Sequence, residues 1–381
     1  MIKYTKHIFT IHHWLGLVAG ALVLVISLTG AILVFDDEID HALFKEAFIL
    51  KAPAKTLSID ASLEKIRAAN PEWEIRIPAL PSSPTQALLY ELRKGKLRQW
   101  ITVHPETGEV ISVNQKAHYR LTQVLLDLHY NLLSGTTGKI VVFFVGVALL
   151  VLTATGLILY RRSIVKVITF RQKLSLKNRR AFFSGLHRIT GVWALVFNFI
   201  LCITGLTVAI VVIQHALSSN NKAPATPQIT TSVDKVLANI STAYPGFEVT
   251  YISVPPSGSG ALYFLGRLSS DPLYYGAHYS SISVDYTTGE MGQPYFLRDQ
   301  PLPKRLFTIL QATHFGDYAG YLVKLLYCIG GLLPGILSIT GYLIWHHRNK
   351  PTAGRLKHTP APLSLKRAPT HYCSKPRYCA S

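Results

Sequence analysis

Hydrophobic and polar positions segregate into long blocks along this chain. Four apolar windows, at about 12–35, 139–160, 189–213 and 321–346, are separated by polar stretches at about 36–128 and 214–313. A helix needs about 20 apolar residues to cross a bilayer, so each window predicts a transmembrane helix. The first window has Lys3 and Lys6 ahead of it, as a signal peptide would. It then runs past twenty apolar residues into "VFDDEID" with no small-x-small site, which predicts an uncleaved anchor. Within each polar stretch the pattern predicts a short helix, strands and a hairpin. In the first, "SIDASLEKIRAA" has a Ser/Asp start and apolar spacing of three to four. "ALLYELRKGKLRQWITVHPETGEVISV" then predicts strands split at Lys94-Gly95-Lys96 and at Glu106-Thr107-Gly108.

The blocks repeat. "IHHWLGLVAGALVLVISLTG" (11–30) aligns without a gap on "LHRITGVWALVFNFILCITG" (186–205), setting His12 over His187, Gly16 over Gly191 and Thr29-Gly30 over Thr204-Gly205. His129 precedes Thr155-Gly156 by 26 and 27 residues, and His314 precedes Thr340-Gly341 by the same intervals. The polar stretches repeat more faintly, "VHPETGEV" echoing "VDYTTGEM". Each half starts and ends on one side of the membrane, so the repeat is parallel. The expected fold is a four-helix transmembrane bundle built from a parallel internal repeat, with two α+β outer domains. Its segments are an N-terminus and first helix (1–35), a first outer domain (36–128), a second helix with its outer approach (129–160), a basic loop (161–186), a third helix (187–213), a second outer domain (214–313), a fourth helix with its approach (314–348) and a disordered basic tail (349–381).

Charge orients this arrangement. The chain of 381 residues is 49% hydrophobic and carries a net charge of +19, yet all 20 acidic residues fall within 36–127 or 234–317. The basic residues crowd the short loop, from Arg161 and Arg162 to Arg179 and Arg180, and the tail from Arg348 onward. The positive-inside rule then puts both termini and this loop in the cytoplasm, with the polar domains facing outward, into the periplasm where the host has one. The positive balance is thus a topology signal and does not call for nucleic acid. Cys202 and Cys328 sit in membrane windows, Cys373 and Cys379 in the tail, and no Cys-x-x-Cys-His is present for covalent haem attachment.

The repeat places two histidine pairs, His12 with His187 at the cytoplasmic helix ends and His129 with His314 at the outer approaches. Two facing imidazoles are the usual axial pair of a b-type haem. The face below His12 is Gly16, Ala19, Val23, Ser27 and Gly30, and that below His187 is Gly191, Ala194, Asn198, Cys202 and Gly205. Both faces are small enough to admit a flat macrocycle, although close helix packing produces such stripes too. His13 and His346, with its neighbour His347, are alternative ligands at the cytoplasmic side. Arg162, Arg188 and Arg348 lie at the depth where propionates would emerge. Tyr274, Tyr275, Tyr279, Phe315, Tyr318 and Tyr321 line the outer side, as a small-molecule pocket or as an interfacial belt.

"LHRITGVW", "IHHWLGLVAG" and "TGLILYRR", together with the paired outer domains, resemble the PepSY-associated transmembrane family over roughly 1–350. The resemblance implies PepSY-like outer domains and an inner-membrane protein. It also implies kinship with a branch of di-haem reductases that take iron from siderophores in the periplasm. His13 departs from the motif, which has Arg there as Arg188 does in the second copy, so His12 and His13 both stand as candidates. The expected function is transmembrane electron transfer through two non-covalent haem b groups, from an unidentified cytoplasmic or membrane donor (flavin or quinol) to a ferric siderophore, releasing Fe(II). A membrane-anchored regulator of a protease, or a haem subunit serving a partner protein, are the alternatives. No acidic residue lies at a helix centre and no dinucleotide-binding Gly motif is present.

Overall fold

A computed structural model describes residues 2–95, 97–116, 120–218, 229–254, 261–316 and 318–349. The expected linker at 218–228 and the tail at 349–381, with Cys373 and Cys379, lie outside the described residues apart from Ser218 and Asn349.

In chain order the helices are α1 (Ile2–Leu33), α2 (Asp36–Leu43), α3 (Lys45–Phe48), α4 (Asp60–Ala69), α5 (Leu121–Asn131), α6 (Gly135–Tyr160), α7 (Ile164–Ile168), α8 (Arg179–Ser218), α9 (Val233–Ala243), α10 (Leu302–Phe315) and α11 (Gly320–Asn349). The strands are β1 (Glu74–Ile77), β2 (Leu88–Lys94), β3 (Leu97–Val103), β4 (Val110–Asn114), β5 (Phe247–Val254), β6 (Ala261–Leu268) and β7 (Ser280–Asp285).

Helices α1, α6, α8 and α11 are each long and apolar enough to span a bilayer. They form a four-membered bundle in which α1 and α8 each pack on both α6 and α11. Their outward faces carry exposed apolar side chains such as Val18, Phe144, Val196 and Leu322, as lipid contact requires. Ala19 and Val23 of α1 pack on Val145 and Ala148 of α6, so part of the small stripe below His12 is packing surface. Pro334 interrupts α11. A proline breaks the helical ladder, and here Ser27 of α1 stitches the opened turn: its hydroxyl donates to the Gly331 carbonyl (2.5 Å) and accepts from the Gly335 amide (2.9 Å). Ser27 therefore faces α11.

The two outer stretches, expected as separate α+β domains, share one seven-stranded antiparallel sheet of order β4-β3-β2-β1-β5-β6-β7. The seam is β1 against β5, Ile75 opposite Val254 and Ile77 opposite Ile252. Pairing these strands removes two bare edges, which isolated half-sheets would expose. One face of the sheet, with Tyr90, Ile101, Ile252 and Phe264, packs under α4 and α9 through Leu63, Ile66, Val236 and Ile240. The two helix starts cap each other. Asp234 accepts from the Ile59 amide (2.7 Å) and Ser58 hydroxyl (2.7 Å), while Asp60 accepts from the Val233 amide (2.8 Å) and the Ser232 hydroxyl.

The other face of the sheet turns toward the bundle. Buried Asp40 of α2 takes Arg120 (2.7 Å) and the Thr122 hydroxyl (2.8 Å), and Lys324 of α11 pairs with Glu38 (2.9 Å). Helices α5 and α10 are separate from the spans that follow them. Leu132, Leu133 and Gly135 take left-handed φ values of 50°, 58° and 59° between α5 and α6. The turn closes over Gly138, where a Cβ would fall 1.5 Å from the Asn131 carbonyl oxygen. The same break falls at Gly316 (φ 70°) and Gly320 (φ 78°) between α10 and α11.

Candidate functional site: two histidine pairs

The bundle brings the four histidines together as two pairs. His12 of α1 faces His187 of α8 with ring centroids 6.3 Å apart and planes at 86°. At the sheet end, His129 of α5 faces His314 of α10, also at 6.3 Å, with planes at 35°. Along α1, 17 residues separate His12 from Thr29, which contacts His129. At 1.5 Å rise per residue the pairs are therefore about 25 Å apart, one near each face of a bilayer about 30 Å thick.

Each imidazole is seated by a Thr-Gly pair from a neighbouring helix. The Nδ1 of His12 lies 2.9 Å from Thr155 Oγ1, that of His187 2.8 Å from Thr340 Oγ1 and that of His314 3.1 Å from Thr204 Oγ1. His129 Nδ1 bonds the Ile26 carbonyl at 2.9 Å, with Thr29 Oγ1 at 3.3 Å. All four hydroxyls donate to a carbonyl four residues back: Thr29 to Val25, Thr155 to Val151, Thr204 to Ile200 and Thr340 to Ile336. With its proton committed, the hydroxyl accepts, and Nδ1 is the donor. In the neutral ring this leaves the lone pair on Nε2. The adjoining glycines make room. A Cβ at Gly30 would fall 2.7 Å from His129 Cε1 and one at Gly205 3.0 Å from His314 Cε1, whereas the same atom at Gly156 or Gly341 would stand 3.5 or 3.7 Å from the inner rings.

Beside His12 and His187 lies a cavity of about 290 Å³, walled by Gly16, Gly156, Gly191 and Gly341. Arg180, Arg188 and Arg348 line it as well, and Arg188 Nε is buried without a partner among the described residues. Arg188 also stands over the Tyr160 ring (5.6 Å). Among the described residues no group of three or more His, Cys, Asp or Glu side chains converges as a metal set. Each pair thus offers two nitrogens and no further protein ligand.

The other sequence candidates fall elsewhere. His13 lines the same cavity but stacks on Phe9 (5.9 Å, 24°), so the ring opposite His187 is that of His12. His346 stacks on Tyr342 (6.0 Å, 12°) and His347 on Phe183 (5.8 Å, 5°), apart from both pairs. Arg162 does not line the cavity. The outer aromatics do not form one pocket. Tyr275 is buried with Arg305 donating to its hydroxyl (2.9 Å), Tyr318 meets Tyr327, and Tyr274 and Tyr321 are exposed. Sequence reasoning did not assign the four threonines a role. Their signal was present, because Thr-Gly recurs at fixed intervals from each histidine.

These features define a multi-pass membrane protein with paired imidazoles at both ends of its bundle, one pair on the spans α1 and α8 and the other on the short helices α5 and α10. The profile of the PepSY-associated TM region family matches residues 9–348, and the chain belongs to that family. A search among curated proteins returns no match.

Proposed function

We propose that the protein carries electrons across the inner membrane through two b-type haems, held by His12 with His187 and by His129 with His314, and reduces a ferric siderophore in the periplasm. The observation that carries this reading is the common ring spacing of the pairs. Both pairs hold their ring centroids 6.3 Å apart, and the bonds made by Nδ1 leave the lone pair of each ring on Nε2. An imidazole nitrogen lies about 1.2 Å from its ring centre and binds a metal ion at about 2 Å, so one ion bridged by two imidazoles sets the centroids about 6.4 Å apart. The pairs fit a metal that brings its remaining ligands with it, as a porphyrin-bound iron does.

Haem b, when bound, supplies a one-electron couple. The chain supplies the rest. The threonines hold each ring in the ligating tautomer, an outer-shell role that fixes ring orientation. The glycine-walled cavity leaves room for a flat group, and Arg188 offers an unpaired nitrogen to a carboxylate there. The basic loop supports a cytoplasmic position for the His12 end, where a flavin or quinol donor would deliver electrons. On the far side, the oxygen donors of the siderophore hold hard Fe(III). One-electron reduction gives Fe(II), which those ligands bind weakly, so the metal is released.

The test is the absorption spectrum of detergent-purified protein, oxidised and then reduced, with a pyridine haemochrome count. Two haems per chain, falling to one in His12→Ala and in His129→Ala, and reoxidation by ferric siderophore are expected. A colourless protein from haem-replete cells would overturn the proposal and favour an anchored regulator.

A further inference from the structure

His346 belongs to neither histidine pair. It ends a lipid-facing ridge of α11. Leu332, Ile336, Ile339 and Tyr342 are large exposed side chains at spacings of four, three and three, and His346 follows four residues later on the same face. The Tyr342 and His346 rings stack in near-parallel planes (centroids 6.0 Å, 12°), and Trp345 leans on Tyr342 at 5.7 Å. Among the described residues the His346 imidazole makes ring contacts, to Tyr342 and His347, and no hydrogen bond.

This ridge stands back to back with the inner pair. Thr340 Oγ1 holds His187 Nδ1 (2.8 Å). Gly341, on the side of α11 opposite the ridge, stands where an added Cβ would lie 3.7 Å from His187 Cε1. Tyr342 is therefore at the depth of His187, with the thickness of one helix, about 10 Å, between them. Trp345 spans that thickness: it touches Tyr342 on one side and lines the cavity beside His12 and His187 on the other.

Building on the electron-transfer reading, the geometry points to a hydroquinone site on this ridge, which makes a membrane hydroquinone the electron donor. The hydroquinone ring stacks on the plate of Tyr342 and His346, its hydrocarbon tail lies along Ile339, Ile336 and Leu332, and one O–H donates to the free imidazole. A reduced flavin nucleotide, ionised and water-soluble, does not match a face turned to lipid. Oxidation of one hydroquinone to the quinone releases two protons and two electrons. The protons leave through His346 to water on the cytoplasmic side. The electrons pass singly by Trp345 to the inner pair and reduce two ferric chelates to Fe(II). An interfacial aromatic belt alone predicts no preference for this face. Trp14, exposed on α1 two residues from His12, supplies the comparison.

The test uses full-length protein in lipid nanodiscs and a decyl-tailed azidobenzoquinone, photolysed with and without excess decyl benzoquinone as competitor. Competed labelling is expected on residues 339–349, falling roughly fivefold in Tyr342→Ala, where the stacking plate is lost, and unchanged in Trp14→Ala. In His346→Leu labelling persists, while reduction of the haems by decyl hydroquinone slows about 100-fold, the scale of a lost proton acceptor. Haem content and reduction by dithionite, which needs no site, check that each variant is folded. Equal labelling around Trp14 and on α11, or labelling insensitive to Tyr342→Ala, would overturn the proposal. So would wild-type haems that dithionite reduces and the hydroquinone does not, a result that leaves the electron-transfer reading standing. Labelling is read without haem, so a colourless protein labelled in this pattern would sink that reading and keep the quinone site.

Discussion

Replacing Gly30 by alanine sets a methyl group 2.7 Å from Cε1 and 3.1 Å from Nδ1 of His129. Ordinary contact begins near 3.4 Å, so the ring must retreat by about 0.7 Å. That movement strains its bonds to the Ile26 carbonyl (2.9 Å) and Thr29 (3.3 Å). Overpacking costs about 1–3 kcal/mol and a lost hydrogen bond about 0.5–1.5. A total on the order of 2–4 kcal/mol weakens retention of a ligand on His129 by roughly 30- to 1,000-fold, at about 1.4 kcal/mol per tenfold. Gly20→Ala is the control on the same helix, because its methyl group would stand 3.9 Å from the nearest atom. Gly205→Ala, at 3.0 Å from His314, should fall between them. The assay is haem per chain after gel filtration, with the reduced spectrum resolved into its two components. Gly30→Ala should lose or shift one component and leave the other. Retention of both haems with an unchanged spectrum in Gly30→Ala, or equal loss in Gly20→Ala, would refute the seating of His129 on this glycine.

Three further outcomes follow from the geometry. His12→Ala should abolish the inner haem while His13→Ala, whose ring stacks on Phe9, should retain it, as read from haemochrome counts. Asp40→Ala removes the buried carboxylate that joins Arg120 and Thr122 to α2 and should destabilise the joint between sheet and bundle by about 3–5 kcal/mol, seen as a lowered melting midpoint. Burial first, then the neighbouring Asp37 carboxylate, raises the Asp36 pKa from 3.8 to about 6. A folded-state pKa above the unfolded one means that stability falls as pH rises through the window from about 4 to 6. Asp36→Asn should therefore raise the melting midpoint at pH 7 and leave it unchanged below about pH 4. A gain of the same size at both pH values would refute the assignment.

The bundle was legible in the sequence because its signals are local or repeated. Apolar blocks of bilayer length give the four spans, and identical intervals between histidine and Thr-Gly expose the pairs. The parts that were not legible depend on who stands opposite. A threonine inside a helix ordinarily back-bonds to its own backbone, as all four do here. Nothing along the chain says that its oxygen also accepts from an imidazole a hundred or more residues away. The small stripe below His12 divides in the same manner: Gly16 lines the cavity, Ala19 and Val23 pack on α6, and Ser27 mends the Pro334 break in α11. Only partner geometry separates these three uses of a small side chain.

The outer sheet extends this point to the whole architecture. β1 is four residues long, and an isolated strand of that length would bind its half-sheet weakly. Its pairing with β5 joins segments about 175 residues apart, for which no turn or spacing gives notice. The reciprocal bonds of Asp60 and Asp234 lock the same seam from the helix layer. The seam in turn couples the two halves at the end where His129 and His314 meet, each carried by a short helix that bridges sheet and span. A ring gap set by two such helices stays constant only if the sheet above them is one body. Fusing the two outer stretches is thus what keeps histidines from opposite halves of the chain facing each other at a fixed spacing.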